Sequence, residues 1–128
     1  MKILLVDDDR LVLYTLSRIL RSTGDTVLTA ANGALGMVLF RRERPDVVIT
    51  DIVMPEQEGL GTIIQMRREW PEIKIIAISG GLRKGDLDVL RMATALGADE
   101  VIAKPFEPQE LLARLMRLAP ADHSNHAE

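Results

Sequence analysis

At 128 residues, with 47% hydrophobic and 27% charged, the chain has enough apolar material for one ordinary domain and does not resemble a disordered one. The absence of cysteine excludes disulfides, thiolate metal sites and a thiol nucleophile, and suits a reducing, cytoplasmic setting. A net charge of −3, from 16 basic and 19 acidic residues, argues against a nucleic-acid-binding face, so no direct nucleic-acid partner is expected.

The chain opens on "KILLV" (2–6), whose apolar stretch ends at "DDD". That is far short of the ~20 residues needed to span a bilayer, so neither a targeting segment nor a membrane partner is expected. Leu13, Leu16 and Leu20 then recur at helical spacing within residues 11–22. "TVLTA" (26–30) reads as a second strand, and "ANG" (31–33) punctuates the way into a helix over 34–42 that "RP" (44–45) closes. "VVIT" (47–50) is the third strand, followed by a helix over 60–69 closed by "WP" (70–71). "KIIAI" (74–78) precedes a helix over 84–96 that stops at the glycine of "LGAD" (96–99). After "VIA" (101–103), "EP" (107–108) places proline in the first turn of a last helix, 108–118, with Leu111, Leu115 and Leu118 in phase. The arginines of "FRRERPD" and "QMRREWPE" read as solvated charge near helix C-termini. "APADHSNHAE" (119–128) is polar and aperiodic and reads as a frayed tail beyond a domain spanning 1–118. Its His123 and His126 lack accompanying ligands and are expected to be idle.

Five near-continuous apolar strands alternating with five amphipathic helices predict an α/β fold, a five-stranded parallel sheet with helices on both faces. In such sheets ligands gather at the carboxyl ends of the strands. Strand one ends on Asp7, Asp8 and Asp9, strand three on Asp51, strand four on Ser79 and strand five on Lys104. Each has an ordinary structural reading. The aspartates can cap, Ser79 can satisfy a turn, and Lys104 can pair with Asp51. Together they suggest a site, because clustered carboxylates repel unless a cation joins them. A hard divalent ion such as Mg²⁺, with oxygen ligands and retained waters, would neutralise them together with Lys104. Asp51 would then be placed as a nucleophile able to form an acyl phosphate.

"KILLVDDD", "VVITDIVMPEQEG", "IIAISGG" and "VIAKPF" resemble, in order and spacing, the markers of the receiver domain of bacterial two-component response regulators, here of the single-domain type. The resemblance covers 1–118 and implies the flavodoxin-like strand order 2-1-3-4-5, which periodicity does not give. It implies that Asp51 accepts a phosphoryl group from a sensor histidine kinase or a histidine phosphotransfer protein. Asp7 and Asp8, with Asp51 and the backbone carbonyl of Val53, would hold Mg²⁺, for which Mn²⁺ can substitute. Ser79, Gly80 and Lys104 would bind the phosphoryl group and report it, and Lys104–Pro105 would be a cis peptide. Asp9 lies beyond the acidic pair and is expected to face solvent or cap the first helix.

One departure stands out. Where family members often carry Tyr or Phe three residues before the lysine, this chain has Val101, which has no large ring to swing. Movement of 80–96, including the glycine-rich "GGLRKG" (80–85), is the alternative route for a signal, against the reading of that loop as merely flexible. Output would pass to a protein partner that the sequence does not name, or the chain would act as a phosphorelay intermediate or as the receiver part of a larger regulator. An aspartate-nucleophile phosphohydrolase would carry a second aspartate at position 53, which is valine. A turnover enzyme is therefore not expected. A flavin or nucleotide binder would need a phosphate loop where "VDDDRLV" is acidic.

Overall fold

Each apolar run becomes a strand and each amphipathic stretch a helix in the computed structural model. In chain order they are β1 (Lys2–Val6), α1 (Arg10–Arg21), β2 (Thr26–Ala30), α2 (Gly33–Glu43), β3 (Val47–Asp51), α3 (Glu58–Glu69), β4 (Lys74–Ser79), α4 (Asp86–Leu96), β5 (Glu100–Ala103) and α5 (Pro108–Leu118). The structure describes residues 1–52, 58–79 and 86–118, with backbone alone for 58–59 and 86–90. Val53, Gly80, the rest of the 80–85 loop and the 119–128 stretch with its two histidines lie outside the described residues. Among the described residues, the largest difference from expectation is at one helix start. α3 begins two residues before the expected 60, because first-turn residues need not carry the apolar pattern, while the expected start of α4 at 84 lies outside the described residues.

The sheet order is β2-β1-β3-β4-β5 and every pairing is parallel. Registers such as Leu5↔Ile49, Ile49↔Ile76 and Ile78↔Ile102 align the strands so that their carboxyl ends share one rim. Because successive side chains alternate between faces, two cores form. Ile3, Leu5, Val47 and Ile49 pack under α1 and α5, against Leu16, Leu20, Leu111 and Leu115. Leu4, Val6, Val48 and Ile75 pack on the opposite face, against Phe40, Ile63, Met66 and Ala93 of α2, α3 and α4.

The turns follow from their residues. Asp9 caps α1, accepting from the amides of Leu11 and Val12, and Asn32 caps α2 through the Leu35 amide. Arg44 ends α2 in the left-handed region (φ 51°), its guanidinium 5.3 Å from the centre of the Trp70 ring. Gly97 ends α4 with φ 131°, a conformation open to glycine and strained for other residues. Among the described residues, no helix is long and apolar enough to cross a membrane.

Candidate functional site

Strand periodicity aims the acidic residues. Asp7 continues the series Ile3, Leu5, and Asp51 continues Val47, Ile49, so both carboxylates emerge at the carboxyl rim on the α1/α5 face. Asp7 is 1% exposed and Asp51 5%, while Asp8 is exposed. The ladder runs past the strand ends, with Asp7 N–H donating to Ala30 O, Ile52 N–H to Ile78 O and Lys104 N–H to Ser79 O. The main chain on either side of the acidic residues is thereby held fixed.

One oxygen from each of Asp7, Asp8 and Asp51 lies within 4.8 Å of the others. Lys104 enters from beyond β5 and puts its Nζ 3.4 Å from Asp7 Oδ2 and 3.5 Å from Asp51 Oδ2. Charge-assisted N–H···O bonds usually measure about 2.7–2.9 Å, so one ammonium is shared loosely between two buried carboxylates. The peptide Lys104–Pro105 is cis. Burial raises the Asp7 pKa above the ordinary carboxylate value, and the Asp9 amide, 2.9 Å from Asp7 Oδ1, and Lys104 pull it back only in part.

Three carboxylates and one ammonium leave a formal charge of −2. The donor set is all oxygen and partly open to solvent through Asp8, which fits a hard divalent ion that keeps some of its water. Asp7, Asp8 and Asp51 are the described residues that would hold it.

Ser79 closes β4 on the rim beside Lys104. It is fully buried, and its Oγ has no hydrogen-bond partner among the described residues. A buried hydroxyl left without a partner is costly and calls for an explanation. The Val53 carbonyl and Gly80 fall outside the described residues, so the structure does not place them. Val101 is half-buried and packs with the core on the α4 side, its carbonyl accepting from Arg114 at 3.0 Å.

Two features were not singled out from sequence, one beside the site and one at the opposite, amino-end rim of the sheet. Thr50 is fully buried and donates its hydroxyl to the carbonyl of Asp51, 3.1 Å away. The one polar residue in "VVIT" was its signal. Arg67, read as solvated charge, instead turns inward to Gly97 and Asp99. Sequence offers no sign of this, since its partners lie about 30 residues away.

The family model described as the response regulator receiver domain matches residues 3–116. The probable transcriptional regulator ycf27 of Guillardia theta is 37% identical over 129 aligned residues, covering 98% of this chain and 49% of that protein. The response regulator MprA of Mycobacterium leprae is 35% identical over 122, covering 92% and 50%. The chain thus spans about half the length of these curated relatives. The crystal structure of a response regulator receiver domain protein from Clostridium thermocellum superposes with a TM-score of 0.85 at 29% identity, covering 99% of this chain and 98% of that one.

Proposed function

The chain belongs to the response regulator receiver domain family, and on that premise we propose that Asp51 is its phosphoacceptor, charged by a phosphohistidine on a sensor histidine kinase or a histidine phosphotransfer protein. The observation that carries this reading is the placement of Asp51. It is a nearly buried carboxylate at a strand end, 3.5 Å from Lys104 and within 4.8 Å of two further aspartates. In the transfer an Asp51 carboxylate oxygen forms a bond to phosphorus, the P–N bond to the donor imidazole breaks, and the imidazole keeps the electron pair and takes up a proton. Mg²⁺, or Mn²⁺ in its place, supplies positive charge toward the oxygens of the transferred group when bound. Asp7 and Asp8 hold the ion, with Asp51 and the Val53 carbonyl completing its protein ligands. Lys104 pairs with one phosphoryl oxygen. The buried Ser79 hydroxyl, beside Gly80, finds there the acceptor it otherwise lacks, and so registers the new group.

This is self-modification rather than turnover on a released substrate, and slow hydrolysis of the acyl phosphate resets the protein. The signal passes by protein contact in the cytoplasm, in keeping with the −3 net charge. The longer ycf27 relative is named a probable transcriptional regulator, and MprA a response regulator. DNA binding is not carried over to these residues.

The test is incubation with acetyl phosphate and Mg²⁺, read by intact mass. One phosphate is expected on the wild type, and none on Asp51→Asn or in the presence of a chelator. Asp8→Ala should lose most of the metal response, and Lys104→Ala should bind metal yet fail to couple phosphorylation to conformational change. A phosphate that persists in Asp51→Asn refutes the assignment.

A further inference from the structure

We infer that Arg67 is a positioning residue of the switch. It fixes the C-terminal end of α4, so that movement driven from Ser79 is confined to the N-terminal half of that helix. The inference rests on the reading of Asp51 as phosphoacceptor.

α4 has no basic residue in its last turn, whereas α1, α2, α3 and α5 each have one or two. The cation that faces the negative end of the α4 dipole comes instead from α3. Arg67 donates through Nε and Nη2 to the carbonyl of Gly97, and through Nη2 to Asp99 Oδ2 at 2.7 Å. Its Nη1 reaches the carbonyls of Pro71 and Ile73. Asp99 Oδ2 also accepts from the amide of Ile75 at 2.8 Å, and Asp99 N–H donates to the Ile75 carbonyl. One guanidinium therefore ties together the end of α3, the turn into β4 and the turn from α4 into β5.

Gly97 fits this arrangement twice over. Its φ of 131° suits glycine, and a Cβ there would lie 3.2 Å from Arg67 Cγ and Nε. Ala93, one turn earlier, is fully buried against the core. The far end of α4 is reached from Ser79 across residues 80–85. On the other side β5 is tied to α5, because Arg114 bonds both the Val101 carbonyl and Glu100 at 3.0 Å. With valine at 101 and the start of β5 tied on both sides, by Asp99 toward Arg67 and β4 and by Glu100 and Val101 toward α5, rotation of α4 about Gly97 is the movement we assign to the switch. An 11-residue helix is roughly 16 Å long, so a tilt of about 10° carries its first turn by about 3 Å while Gly97 stays in place.

The experiment is amide hydrogen exchange of the whole chain, with and without acetyl phosphate and Mg²⁺, and intact mass measured in parallel. In the wild type, phosphorylation should change exchange at 86–92 and leave 96–99 unchanged. In Arg67→Ala the phosphorylation-dependent change should extend to 96–99, at threefold or more in rate. Arg67→Lys keeps the charge but not the fork, and should fall between. A merely structural Arg67 would raise exchange at 96–99 equally with and without the phosphoryl group, and that result overturns the inference. So does a wild type in which 96–99 responds as strongly as 86–92, an outcome readable even if Arg67→Ala fails to fold. Absence of any added phosphate instead removes the reading of Asp51, and this inference with it.

Discussion

Replacing Asp7 by asparagine should have opposite effects on stability without metal and on the response to metal. At an effective dielectric of about 20, two unit charges at the 4.8 Å limit within which Asp7 and Asp51 bring an oxygen together repel by about 3.5 kcal/mol, a lower bound for this pair. Asp8 is exposed and adds only about 1 kcal/mol. Lys104 at 3.4 Å offsets about 5 kcal/mol, so the charge–charge terms at Asp7 nearly cancel. What remains is the cost of burying a carboxylate that is 1% exposed. Asparagine removes that cost, and its carbonyl oxygen can still accept from the Asp9 amide.

Asp7→Asn should therefore stabilise the metal-free protein by about 2 kcal/mol, a rise in melting temperature of roughly 8 °C for a domain of this size. Wild-type protein saturated to 100 times its dissociation constant gains about 2.7 kcal/mol from the ion, and the variant at the same Mg²⁺ concentration should gain less than half of that. Because burial raises the Asp7 pKa, the native state holds that proton more tightly than the unfolded chain. The associated stability is present below the ordinary carboxylate range and is lost as pH rises through the raised value. The advantage of Asp7→Asn should therefore shrink as pH is lowered toward about 4. Thermal melts in chelator and in Mg²⁺, at two pH values, test all three statements. A variant that melts below the wild type in chelator, or gains as much from Mg²⁺, would refute the reasoning.

Asp9→Ala removes the α1 cap and should cost about 1 kcal/mol in chemical denaturation while leaving the Mg²⁺ response intact. An equal loss of metal response at positions 8 and 9 would contradict the division of roles along "DDD". Gly97→Ala must adopt φ 131° and crowd Arg67, and should destabilise by about 2 kcal/mol in the same assay. Gly36→Ala would gain helix propensity, but its Cβ would meet Val6 Cγ2 at 3.1 Å, and Val6 is fully buried between β2 and β3. The single variant should lose about 1 kcal/mol, and the loss should disappear in a Val6→Ala background, which a double-mutant cycle reads directly.

The periodicity of the chain determined the number and kind of elements, because a two-residue or 3.6-residue repeat is a local property. Gly97 and Asn32 were legible as punctuation for the same reason, as each acts on its own few residues of backbone. The residues at the strand ends were also on view, and parallel strands of similar length must bring those ends to one rim. The strand order came from the family resemblance and not from any repeat. Tertiary structure alone decided distances between residues far apart in the chain. It put Lys104 between Asp7 and Asp51, left the Ser79 hydroxyl buried without a partner among the described residues, and pressed Gly36 against Val6. It also turned Arg67, to all appearance a solvated charge, into the tie between the α3–β4 and α4–β5 turns. Such contacts depend on which helix lies beside which strand and at what height. Packing of the two cores sets that, and no short window of sequence encodes it.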